Sequence, residues 1–122
     1  MKKKIQVIIC ILTVLLAAAF TGCGTRLSRA NADTGKAAVN AVDQFLDGNL
    51  SATSALNTLE SCYDSVTDED GSNSTYLRAC ISNASTAVFE HAVVQTSGMD
   101  YGDANVVDKR NDLAEFLGMA KR

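Results

Sequence analysis

Residues 51–67, SATSALNTLESCYDSVT, decide the fold. Ala52, Ala55, Leu56, Leu59, Cys62, Tyr63 and Val66 recur there at spacings of three and four. Side chains at that spacing stack on one face of an α-helix, whereas a strand would need strict alternation. The remaining positions are mostly polar, so the segment predicts a helix that buries one side.

Three further segments repeat the pattern. Upstream, residues 34–47 place Ala38, Ala41, Val42, Phe45 and Leu46 on one face, and Gly48-Asn49 ends the run. Asp33 is the expected cap, because its carboxylate can accept the free backbone N–H groups of a first turn. Downstream, Asp68-Glu69-Asp70-Gly71 breaks the period, and a third helix is predicted over 74–96. Its shared face holds Leu77, Cys80, Ile81, Ala84, Val88 and His91; Ser97 and Gly98 close it. Residues 97–102 read as a flexible joint. Asp103 then caps a fourth helix carrying Val106, Val107, Arg110, Leu113, Ala114 and Leu117.

The chain contains no Pro, and much of its apolar content is Ala. Pro would break a helix and Ala loses no side-chain entropy in one, so the composition agrees with the periodicity. Short connections make successive helices antiparallel neighbours. The expected fold class is all-α, a small antiparallel helical bundle of about four helices over residues 33–122.

The first 22 residues have a different organisation. Lys2, Lys3 and Lys4 precede a run of 16 residues, 5–20, that is apolar except for Gln6 and Thr13. That run would make roughly 24 Å of helix, against a hydrocarbon core of about 30 Å. A basic start, a short apolar run and small residues before a cleavage point are the layout of a secretory signal.

Phe20-Thr21-Gly22-Cys23 resembles the lipobox of bacterial lipoproteins, with Phe20 where that class usually carries Leu. The resemblance implies that residues 1–22 are removed and that Cys23 becomes the acylated first residue, bearing diacylglycerol and palmitate-type chains. It implies an extracytoplasmic protein held at the cell membrane or envelope through lipid on Cys23. Residues 23–32 are then a short tether with Arg26 and Arg29 near the headgroups. Cys10 would be lost with the leader.

Without its leader the chain has eight basic and fourteen acidic residues, a net charge of −6. Such a surface repels phosphate backbones, which argues against nucleic acid as a partner. Cys62 and Cys80 are then an even pair in an exported protein. They lie nine residues either side of Gly71, in the expected turn, and a disulfide between them is the expectation. The alternative is two buried thiols packed as small apolar groups.

Other chemistry is sparse. His91 is the only histidine, and its neighbour Glu90 points about 100° away on a helix, so the two make no dyad. No metal site is expected from one His and scattered cysteines. Asp68-x-Asp70-Gly71 is similar to part of a calcium loop, but Val66 and Leu77 fall where that loop needs ligands. A solvated turn is the expectation there. No nucleophile elbow or phosphate-cradling glycine loop appears, so no catalytic residue or cofactor is assigned. The functional expectation is a non-enzymatic interaction module with a protein partner, using leftover apolar residues such as Phe89, Val93 and Phe116. The alternative is a small-ligand or peptide-binding accessory of a transport or envelope system. A bundle this poor in aromatics is expected to have little room for a pocket of several hundred Å³.

Overall fold

The computed structural model describes residues 27–98 and 102–122. They form an all-α bundle: α1 (Arg29–Leu46), α2 (Ala52–Ser65), α3 (Ser72–Thr96) and α4 (Ala104–Phe116). A 3₁₀ turn, Asp68–Asp70, joins α2 to α3, and no strand occurs among the described residues. No helix among the described residues is long and apolar enough to cross a membrane. The leader, Cys10 and Cys23 lie outside the described residues.

α1 starts earlier than the apolar stripe suggests. Ser28 is its cap, its Oγ accepting from the Asn31 N–H at 3.2 Å, and Asp33 lies inside the helix. Residues 29–32 are therefore helical rather than part of a tether. The cause is Asn31, a polar residue that is nonetheless fully buried. Ser51 caps α2 as a hydroxyl cap should, accepting from Ser54 N–H at 3.1 Å.

The core is one cluster drawn from all four helices. Val39 and Val42 come from α1, Leu59 from α2, Leu77, Ile81 and Val88 from α3, and Val106 and Leu113 from α4. Each buried side chain of this size stabilises the fold by about 1.5–3 kcal/mol. α1 and α3 each pack on the other and on both flanking helices, while α2 and α4 pack on that pair rather than on one another. Leu117 follows α4 and seats on Gly35 of α1, where an added Cβ would come within 2.6 Å of its Cδ2. Glycine at 35 is thus what lets the chain end close over α1. Beyond Leu117, Arg110 forks onto Asp43 at 2.9 and 3.0 Å and donates to the Ala120 carbonyl at 2.6 Å. Arg122 adds contacts to Asp43 and Asp47.

Helix lengths leave one face uncovered. α2 has 14 residues, about 21 Å, and α3 has 25, about 37 Å. Both run from the 66–71 connection, so α3 outruns α2 from about residue 86 onward. Phe89 and Val93 lie on this overhang, 57 % and 50 % exposed. Phe116 differs: it is partly buried against the core and tilts onto the Tyr76 ring at a centroid distance of 4.6 Å.

Candidate functional site

The overhang of α3 also borders a cleft. Ala87, Glu90, His91, Val94 and Gln95 recur at helical spacing and form one wall. Asn105 and Val106, in the first turn of α4, form the other, with Gly102 at the margin. The cleft has a volume of about 450 Å³. That lies within the range of small-molecule sites, so the expected shortage of room is corrected.

His91 sits at its edge, with a side chain 11 % exposed. Its Nε2 lies 2.8 Å from Oδ1 of Asp103. A carboxylate only accepts, so Nε2 carries the proton and donates. Asp103 stands at the cap position of α4, but its side chain makes no cap hydrogen bond and serves His91 instead. The other ring nitrogen, Nδ1, is buried and has no hydrogen-bond partner among the described residues. Phe45 of α1 meets the imidazole edge-on at a centroid distance of 5.4 Å. Among the described residues, Glu90 receives a long 3.5 Å contact from the Asn105 amide.

The sequence placed His91 and Asp103 on separate elements and gave each a local role. Their pairing had one signal: they lie six residues either side of Ser97, where α3 ends. Among the described residues, no three His, Cys, Asp or Glu side chains converge as a metal site would need.

The acidic turn at the other end is committed to the protein's own donors. Asp70 accepts from the Ser28 N–H with both oxygens, at 2.9 and 2.8 Å, and from the Asn31 amide at 2.6 Å. Asp68 pairs with Arg78 at 2.6 Å, and Glu69 accepts from the Thr67 hydroxyl at 3.0 Å. These carboxylates diverge to separate partners. Asp70 holds the start of α1, so the turn expected to be solvated is tied into the fold. Asn31 completes the junction, donating to the Thr67 carbonyl at 3.0 Å and accepting from the Thr67 N–H at 2.8 Å. Ser74, also fully buried, accepts from the Asp70 N–H at 3.1 Å.

Cys62 and Cys80 are both buried free thiols, so the disulfide expected between them is a point of correction. Gly71 is not the middle of the turn; it immediately precedes α3. Cys62 lies three residues from the end of α2, and Cys80 eight residues from the start of α3. In an antiparallel pair that mismatch offsets them by about 7 Å along the axis, which disfavours the short Cα separation a disulfide requires. Cys80 lies one turn from Tyr76 on α3. Burial pushes both thiols up; at Cys80 the Tyr76 hydroxyl opposes that rise and the Asp112 carboxylate adds to it.

Fold and site together define a small all-α bundle with an open cleft beside an exposed helix face. Comparison with protein families, curated proteins and solved structures finds no match.

Proposed function

We propose that this chain is the precursor of a lipid-anchored, extracytoplasmic interaction module that engages a protein partner through the overhanging end of α3. The observation that carries the reading is the Phe89–Val93 pair, one turn apart and more than half and half exposed respectively, on the end of α3 that extends past α2. An apolar pair at that spacing is what a helix lays into a groove of another protein.

The anchor half of the reading rests on the leader pattern and the residues around Cys23. Its geometry agrees with the partner half. Five residue steps lead from Cys23 to Ser28, a reach of at most about 17 Å. Ser28 is pinned to Asp70 at one end of the bundle. α1 then carries the chain about 27 Å to the other end, where Phe45 meets His91. An anchored molecule would therefore point Phe89 and Val93 away from the bilayer.

The module is read as non-enzymatic. A catalytic His–Asp pair needs its second nitrogen facing substrate. Here Nδ1 of His91 is sealed from solvent, so the pair acts as a latch between α3 and α4. The cleft favours a second reading, a small-ligand accessory, which the next section develops.

Crosslinking and pull-down from membranes of the native host test the proposal. The native protein should fractionate with membranes and capture a defined partner. Cys23→Ala should leave the membrane fraction, and Phe89→Ser with Val93→Ser should keep the fold by circular dichroism but lose the partner. Unchanged location for the first variant, or unchanged capture for the second, would sink the corresponding half.

A further inference from the structure

We propose that the α3–α4 cleft is a binding site for a small organic ammonium compound, an amine carried on an apolar ring or chain. The walls and rim divide by chemistry. Ala87, Val94 and Val106 supply apolar contact, while Glu90, Gln95 and Asn105 supply acceptors and a negative charge. The Asp103 carboxylate, 57 % exposed, lies beside them.

Among the described residues, no Lys or Arg lines this cleft. Arg78 is paired with Asp68, and Lys109 lies nearest Asp108 and Asp112. Among the described residues Glu90 takes part in no ion pair, and its contact with the Asn105 amide is at the limit of hydrogen bonding. A concave site with carboxylates of one sign and low-dielectric walls concentrates the opposite charge. An anion would be repelled there. A purely apolar guest would strip water from Glu90 without replacing it. A metal ion lacks the ligands, since no three donors converge. An ammonium with an apolar body satisfies both halves at once, and the volume of about 450 Å³ suits a molecule of indole-ethylamine size.

This inference does not depend on the anchor or on the partner at Phe89. Three probes of similar shape separate the possibilities: tryptamine, a cation; 3-methylindole, neutral; and indole-3-acetate, an anion. Each is titrated into the full chain in zwitterionic lipid nanodiscs while methyl NMR follows Val94 and Val106. Tryptamine should shift both methyl groups saturably and bind at least tenfold more tightly than 3-methylindole. Indole-3-acetate should shift neither.

Glu90→Gln, a change at an exposed position, should weaken tryptamine five- to tenfold without weakening 3-methylindole. Val94→Trp, which fills the cleft, should abolish binding of both while the core methyl signals stay in place. Equal affinity for the three probes, tighter binding of the anion, saturable tryptamine shifts confined to other residues, or no saturable shift would overturn the proposal.

Discussion

The two ends of the bundle handle buried polarity in opposite ways. At the Asn31 end, both side-chain functions of a fully buried amide are matched, and the Asp70 carboxylate it touches also holds the Ser28 N–H. At the His91 end, one nitrogen bonds an exposed carboxylate and the other is buried without a partner among the described residues. A closed network of this kind ties three chain segments into one register. The open end leaves surface and volume uncommitted, which is what a binding function needs. Buried polar groups are costly when unmatched, so removing one member should be felt strongly at the closed end and weakly at the open one.

The largest effect is expected at Asn31. Asn31→Ala removes the acceptor of the Thr67 N–H and a donor to the Thr67 carbonyl, Asp70 and Ser74 together. Stranding several buried groups at once should cost about 3 kcal/mol, read as a lower urea midpoint with unchanged slope. Asn31→Asp should be worse near neutral pH, because it sets a second carboxylate against Asp70. A loss under about 1 kcal/mol would show that water replaces the network and that the ends are alike after all.

Acid should act on the same junction. Burial raises the Asp70 carboxyl, but hydrogen bonds from Ser28 and Asn31 outweigh it and hold the group below the ordinary range. Asp43 is also held low: burial raises it, and Arg110 and Arg122 more than reverse this. A carboxyl depressed in the fold stabilises it above the unfolded pKa, and that contribution disappears as pH falls through the folded value. Thermal stability should therefore hold between pH 7 and 5 and fall below about pH 4, where unfolded carboxyls take up protons. Asp70→Asn should lower the plateau by less than Asn31→Ala does and make the acid decline shallower. An unchanged decline would leave Asp43 as the main acid-sensitive contact.

How much of this was legible in the sequence depends on whether a residue's role is local. The stripes of α2, α3 and α4 name the buried face because burial there follows the helical period: Leu59, Leu77, Ile81, Leu113 and Ala114 are all core. The start of α1 was hidden because hydrophobic periodicity cannot register a buried Asn31. The cysteine register failed over a few residues, since taking Gly71 as the turn's centre rather than the residue before α3 shifts every cross-helix pair. The cleft and the His91–Asp103 latch depend on how α4 returns along α3. Composition does not encode that angle, and Asp103 carries the same cap signal whether it faces its own helix or the one before.

The smallest effect on stability is expected at the open end, and the thiols can show it beside the closed one. Asp103 is largely exposed, so Asp103→Ala should cost under about 1 kcal/mol. Cys62 and Cys80 are buried and their thiols are pushed up, so alkylation at neutral pH should wait for opening of the structure. After unfolding without reductant, both should label, because the axial offset keeps them apart. Cys62 lies within the last turn of α2, next to the Val66–Asp70 connection that Asn31 holds. Asn31→Ala should therefore speed labelling of Cys62 far more than its global destabilisation speeds labelling of Cys80. Asp103→Ala should leave both rates nearly unchanged. Equal acceleration at the two thiols in the Asn31 variant would mean that the ends open together, as one cooperative unit, and that the contrast between them is confined to binding rather than to stability.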